Sequence, residues 1–149
     1  MKHDEDGIDI HFLNEPDNCE YQNITSADAV AQIFNSVRPK LGTPTGTCLY
    51  NILRPYLAQC EQTEPHSIKP LNIIVITDGV PTDDVESVFV SAAKKLEKMD
   101  APPWQVGVQF FQVGNERGAA EALRDLDDGL VERGCPRDIV DTILWLPRS

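Results

Sequence analysis

The segment Leu71-Asn72-Ile73-Ile74-Val75-Ile76-Thr77-Asp78-Gly79 constrains this chain most. A β-branched apolar run that stops at Asp-Gly reads as a buried parallel strand, with a carboxylate delivered to the C-terminal edge of a sheet. In open α/β sheets that edge is where ligands bind. A second signal, Gly42-Thr43-Pro44-Thr45-Gly46, lies upstream at the start of an expected helix. A threonine loop and a strand-end aspartate are oxygen donors of the kind that hard divalent cations take.

The rest of the pattern alternates between the two periodicities. Gly7 to Leu13 alternates apolar and polar residues and predicts a strand, and Cys19 to Ile24 a short antiparallel edge strand. Thr25-Ser26 offers a helix cap, and Ala27, Val30, Ala31, Phe34 and Val37 share one face of the helix that follows, which Pro39 ends. Leu49, Ile52, Leu53, Tyr56 and Leu57 mark a helix within Pro44 to Gln62, with Pro55 expected to kink or restrict it. Asp83 or Asp84 caps a helix to about Met99 whose inward face is Val85, Val88, Phe89, Ala92 and Leu96. A strand over Val106 to Val113, a helix from about Arg117 to Asp127 and a strand within Ile139 to Leu146 complete the order. Strands alternating with helices of this length predict an α/β fold, a doubly wound and mostly parallel sheet with helices on both faces. The 149 residues fit one domain, residues 1–149.

Composition narrows the function. A formal net charge of −11 argues against nucleic acid as the main partner, because phosphate binding needs a clustered basic surface. Acidity of this kind is ordinarily a solvated surface. Cys19, Cys48, Cys60 and Cys135 form no C-x-x-C pair and have no histidine at zinc spacing, so free thiols in a reducing compartment are expected. No apolar run approaches the roughly 18 residues needed to cross a membrane, and Met1 to Asp6 is too polar for a secretory signal. The expected location is cytoplasmic.

Ile76-Thr77-Asp78-Gly79 after an apolar strand, with Gly42-Thr43-Pro44-Thr45-Gly46 upstream, resembles the von Willebrand factor A (vWA) domain. Gly7-Ile8-Asp9-Ile10-His11-Phe12-Leu13 resembles that fold's second strand, and Val108-Gln109-Phe110-Phe111-Gln112-Val113-Gly114 its fifth. Asp127-Asp128 and Asp138-Ile139-Val140-Asp141-Thr142 resemble C-terminal parts of intracellular versions. The resemblance implies a Rossmann-like sheet and a metal-ion-dependent adhesion site for Mg²⁺ or Mn²⁺, with Thr43 and Asp78 as ligands and an acidic side chain of a partner protein filling the open position. Thr45, Gly79, Val80 and Pro81 would lie on the partner-binding rim. The family's Asp-x-Ser-x-Ser loop and central first strand have no counterpart here. Strands lie about 4.8 Å apart, so a missing central strand implies a gap of roughly 9.6 Å. The sheet would close directly, be completed by another chain, including self-association through unpaired strands, or belong to a truncated product, which is the expectation favoured. The implied function is a non-catalytic protein-interaction module with a residual adhesion site and weak metal binding.

Plainer readings stand beside these. Asp78-Gly79 is a common turn pair, and Thr43 and Thr45 suit helix caps. Asp83 or Asp84 could add an oxygen to a cation. Asp9 is expected on a solvent face, and Trp104 and Trp145 in core or edge packing. A metal-dependent hydrolase or phosphatase using Asp78 is the enzymatic alternative, without a Gly-rich phosphate loop or a Ser-His-Asp set to support it. A truncated, non-functional copy is the third.

Overall fold

The computed structural model describes residues 7–13, 21–37, 43–63, 67–77, 80–113 and 118–144. Helices and parallel strands alternate: α1 (Ala27–Ser36), α2 (Thr45–Gln62), β1 (Leu71–Thr77), α3 (Val85–Lys98), β2 (Val106–Gln112), α4 (Ala119–Glu132) and β3 (Val140–Leu144). The strands form one parallel sheet in the order β1-β2-β3. The α/β class expected from the sequence is therefore present. All three strands fall inside the expected segments, and α4 extends beyond its expected end at Asp127 to Glu132.

Strand periodicity fixes the layers. Val75 of β1, Val106, Val108 and Phe110 of β2, and Val140 of β3 join one buried cluster. Leu49, Leu53 and Leu57 of α2, Phe89, Ala92 and Leu96 of α3, and Leu123, Leu126 and Leu130 of α4 complete it. The α3 face is the one its spacing predicts, with Ala93 added and Val88 only partly buried. Phe89 and Phe110 meet edge to face at 5.9 Å between ring centroids, the geometry that aromatic quadrupoles favour. Pro55 lies on the exposed side of α2, so the backbone acceptor it leaves free faces water and the helix runs on to Gln62.

A buried polar group ties α2 to the N-terminal end of the sheet. The Gln105 amide donates to the Tyr56 hydroxyl at 2.7 Å and to the Ile68 carbonyl at 3.1 Å, while that hydroxyl donates to the Lys69 carbonyl at 2.7 Å. Each partner satisfies the other, which offsets the cost of taking Gln105 out of water. Burial raises the Tyr56 phenol above its ordinary value, against the lowering effect of the Gln105 bond.

Several expectations are corrected. Gly7–Leu13 is not a strand of the sheet. Among the described residues its ladder contact is an isolated antiparallel bridge between Ile8 and Ile24, with Ile10 N–H donating to the Tyr21 carbonyl. The antiparallel return expected within Cys19 to Ile24 is reduced to this bridge, and its first two residues lie outside the described segments. In α1 the buried residue is Ile33, whereas Phe34 is exposed and meets only Phe12 edge to face among the described rings. Trp104 is 69% exposed in the turn before β2 and packs in neither core nor edge; Trp145 lies outside the described residues. β1 is not buried on both sides, since Ile74 and Ile76 are 62% and 65% exposed. Their face continues through Gln109 of β2 and Asp141 and Ile143 of β3, and no described helix packs on it. Cys60 and Cys135 are free thiols, as expected.

The Phe89–Phe110 pair carries the first prediction. Phe89→Ala should lower unfolding stability by about 3–5 kcal/mol, because helix and sheet cannot both close the cavity. Urea denaturation followed by far-UV circular dichroism measures it.

Candidate functional site

A parallel sheet brings the starts of its helices to one edge. Here the loop before α2 (Thr43, Pro44), the loop between β1 and α3 (Val80 to Asp84) and the start of α4 converge at the C-terminal end of the strands. An added Cβ on Gly118, the left-handed cap of α4, would stand 4.0 Å from Val80 Cγ2.

The first two loops are tied by hydrogen bonds. Thr43 N–H donates to the Thr82 hydroxyl at 3.3 Å, and Thr82 N–H donates to the Thr43 carbonyl at 2.9 Å. Asp83 reaches across the sequence to the first turn of α2. Its Oδ1 accepts from Gly46 N–H at 2.6 Å, and its Oδ2 accepts from Thr47 N–H at 2.7 Å and the Thr47 hydroxyl at 2.8 Å. The residue at the N-cap position of α2 is Pro44, which makes no side-chain cap bond. Asp83 supplies the missing acceptor and places negative charge at the positive end of the helix. Burial alone would raise its pKa. The three bonds from Gly46 and Thr47 outweigh burial and hold the carboxyl below its ordinary value.

Gly46 permits this approach. A Cβ there would lie 2.6 Å from the Asp84 carbonyl oxygen, a backbone atom that cannot swing aside. The glycine of the Thr-Pro-Thr-Gly segment therefore serves loop-to-helix contact.

Asp84 caps α3 in the ordinary way, accepting from Ser87 N–H at 3.1 Å and from the Ser87 hydroxyl at 2.5 Å. The Ser87 bonds hold its pKa below the usual carboxylate range. Both oxygens of Asp83 and both of Asp84 are thus committed to protein donors. The Thr43 carbonyl is committed as well, to the N–H groups of Thr45 and Thr82. The extra oxygen that Asp83 or Asp84 was expected to lend to a cation is used in capping. Among the described residues no group of three or more His, Cys, Asp or Glu is placed to hold a metal.

The residues singled out from the sequence are distributed unevenly. Thr43 is half-buried at the loop junction. Thr45 is fully buried, with its hydroxyl directed to the Thr43 carbonyl at 3.4 Å, so it is an interior residue of the helix start rather than a rim residue. Val80 is 42% exposed and Pro81 half-buried. Asp78 and Gly79 lie outside the described residues. Asp9 is exposed, as expected, and its carboxylate accepts from Asn23 N–H at 2.8 Å.

Sequence reading did not single out Gln112. Its position in β2 points to the core, it pairs in register with Thr77, and its Oε1 is buried without a hydrogen-bond partner. The signal was available: Thr77 and Gln112 are polar residues in the buried phase of otherwise apolar strands, both at the C-terminal end. Buried polar side chains gather where the sheet meets the candidate rim.

The pH dependence follows from Asp83. Its depressed pKa contributes stability that is present above the unfolded-state value and is lost as pH falls through the folded-state value. Asp83→Asn should destabilise the fold by about 1–2 kcal/mol at neutral pH. That difference should shrink towards zero as pH drops below the ordinary carboxylate range, in urea titrations at stepped pH. Gly46→Ala should destabilise at every pH, because its closest clash is with the backbone carbonyl of Asp84, which does not titrate.

No family model, curated protein or solved structure matches this chain in the three comparisons made.

Proposed function

We propose that this chain is a non-catalytic protein-interaction module of the von Willebrand factor A type. In this reading the sheet belongs to a doubly wound, Rossmann-like arrangement, and the recognition surface is its C-terminal rim, with Thr43, Val80 and Pro81 flanking Asp78 and Gly79. One observation carries the reading. The carboxylates of Asp83 and Asp84 hold loops and helix starts in place, and the loop they hold presents an exposed valine. A cross-braced loop offering apolar surface suits a preorganised binding rim, because little ordering entropy is left to lose on contact.

The rim is poorly equipped for proton transfer. Residues 43–47 and 80–84 contain no His, Cys, Lys or Arg, and the two acids there are held in their charged form by capping bonds. General acid–base work favours a group whose pKa lies near the working pH. The metal-bridged version of the reading needs Thr43 and Asp78 to act without help from Asp83 or Asp84, so no step is assigned to Mg²⁺ or Mn²⁺.

A photo-crosslinking amino acid at position 80 tests the reading in cells that express the protein. A discrete protein adduct is expected from position 80 and none from positions 104 and 131, which are exposed elsewhere on the surface. Equal labelling from all three positions, or none from position 80, overturns it. Calorimetric titration with Mg²⁺ and Mn²⁺ should show no saturable site; a single site lost in Asp78→Ala would establish the metal bridge instead. Phosphatase turnover of p-nitrophenyl phosphate that disappears in Asp78→Ala would replace the module with an enzyme.

A further inference from the structure

The edge of β1 away from β2 opens onto a groove. Two hydrogen bonds fix which backbone groups reach it. Leu71 N–H donates to the Gln105 carbonyl at 2.8 Å, and Val113 N–H donates to the Thr77 carbonyl at 3.0 Å. In a parallel ladder this phase commits the backbone of residues 71, 73, 75 and 77 to β2 and turns the N–H and C=O of Asn72, Ile74 and Ile76 the other way. No strand pairs with β1 on that side among the described residues.

The groove has a volume of about 490 Å³ and is bounded on two sides. One side is β1 from Leu71 to Ile76; the other includes Gly7, Ile8, Asp9 and His11. Leu49 and Ile52 of α2 add apolar lining. Within the second side, Ile8 and Ile10 direct their N–H groups to the Ile24 and Tyr21 carbonyls. Gly7 holds this wall close: its φ is +78°, and a Cβ there would lie 2.6 Å from the Ile24 carbonyl oxygen.

We propose that this groove is a docking site for one extended segment of another polypeptide, which adds to β1 as a fourth strand. Hydrogen-bonding complementarity identifies the occupant. A row of alternate N–H and C=O groups along a strand is matched by extended backbone, whereas a helix keeps its own backbone bonds internal. The lining identifies the side chains. Leu49, Ile52, Ile73 and Val75 call for small apolar or β-branched residues at alternate positions, and Asn72, Ile74 and Ile76 on the other face of β1, with Asp9 opposite, call for residues with both methyl and hydroxyl groups, such as threonine, between them. The two walls favour a lone strand over a second copy of this chain, because a second β1 would bring its own sheet and its own Gly7–Leu13 wall into the same space. The site lies along the side of the sheet and does not depend on the rim reading.

The probe is a lysine-flanked heptapeptide alternating valine and threonine, compared with the same peptide N-methylated at every second residue. The purified full chain should bind the first peptide and slow hydrogen exchange at the amides of Asn72, Ile74 and Ile76. Alternate N-methylation should weaken binding at least about tenfold, as expected from losing two or three backbone hydrogen bonds. Ile74→Pro should weaken it similarly. Proline is tolerated on a strand edge where its N–H would face outward, so an unchanged circular dichroism spectrum and melting point are expected alongside. Ile74→Lys, which keeps the backbone donor, should bind far better than the proline variant, and this holds the test open if proline disturbs the fold. Equal binding of both peptides, no binding to the folded wild type, or no protection of the three amides overturns the proposal. Protection of those amides without peptide, growing with protein concentration in step with dimer formation by sedimentation, overturns it in favour of self-pairing.

Discussion

The parallel register of β1 on β2, Leu71 opposite Val106 through Thr77 opposite Gln112, sets the direction of everything around it. It sends Val75 into the cluster with Phe89 and Phe110, and Ile74 and Ile76 to the opposite face. It also divides the backbone of β1 between a paired and an unpaired edge. A slip by one residue would exchange these roles and put Ile74 and Ile76 inside and Val75 out. The register is secured at the N-terminal end by the Gln105 and Tyr56 hydrogen bonds and along its length by the aromatic pair that β2 shares with α3.

Asp83 extends that order to the C-terminal end. A parallel sheet directs its helix starts to the same edge, and each start leaves backbone N–H groups without helical partners. α2 has a proline where a capping side chain is usual, and α4 has a glycine. For α2 the deficit is met from the loop after β1, which makes helix start and loop a single hydrogen-bonded unit. Asp83 spends both carboxylate oxygens on this cap, and Asp84 spends both of its own on the start of α3. A sequence window holding Asp78, Asp83 and Asp84 looks like a ligand-rich loop, yet two of its three acids are structural.

That contrast shows what was legible in the sequence. The strand over Leu71 to Thr77 and the buried faces of α2 and α3 were readable because periodicity and β-branching act locally. The cap on α3 was readable because Asp84 and Ser87 are three residues apart. The cap on α2 was not, because Asp83 and Gly46 are 37 residues apart and meet only once the sheet has formed. Gly7 to Leu13 misled for a related reason. Alternation marks a half-buried extended segment and does not supply a neighbour, and the segment bonds to Tyr21 and Ile24 rather than to the sheet. In α1 the apolar positions suggested a face through Phe34, while Ile33 found the available surface.

The open edge of β1 also bears on pairing between copies of this chain. An unpaired apolar edge invites pairing with copies of itself. Two features oppose that outcome. The net charge of −11 makes copies repel one another, a penalty that a short neutral or basic segment does not incur. The wall containing Gly7 to Asp9 narrows access so that a free strand fits more readily than the edge of another sheet. Both features select by size and charge, and neither alters the hydrogen-bonding row itself. Reducing the repulsion with salt would therefore shift the balance toward self-pairing first, while the wall would continue to favour the lone strand.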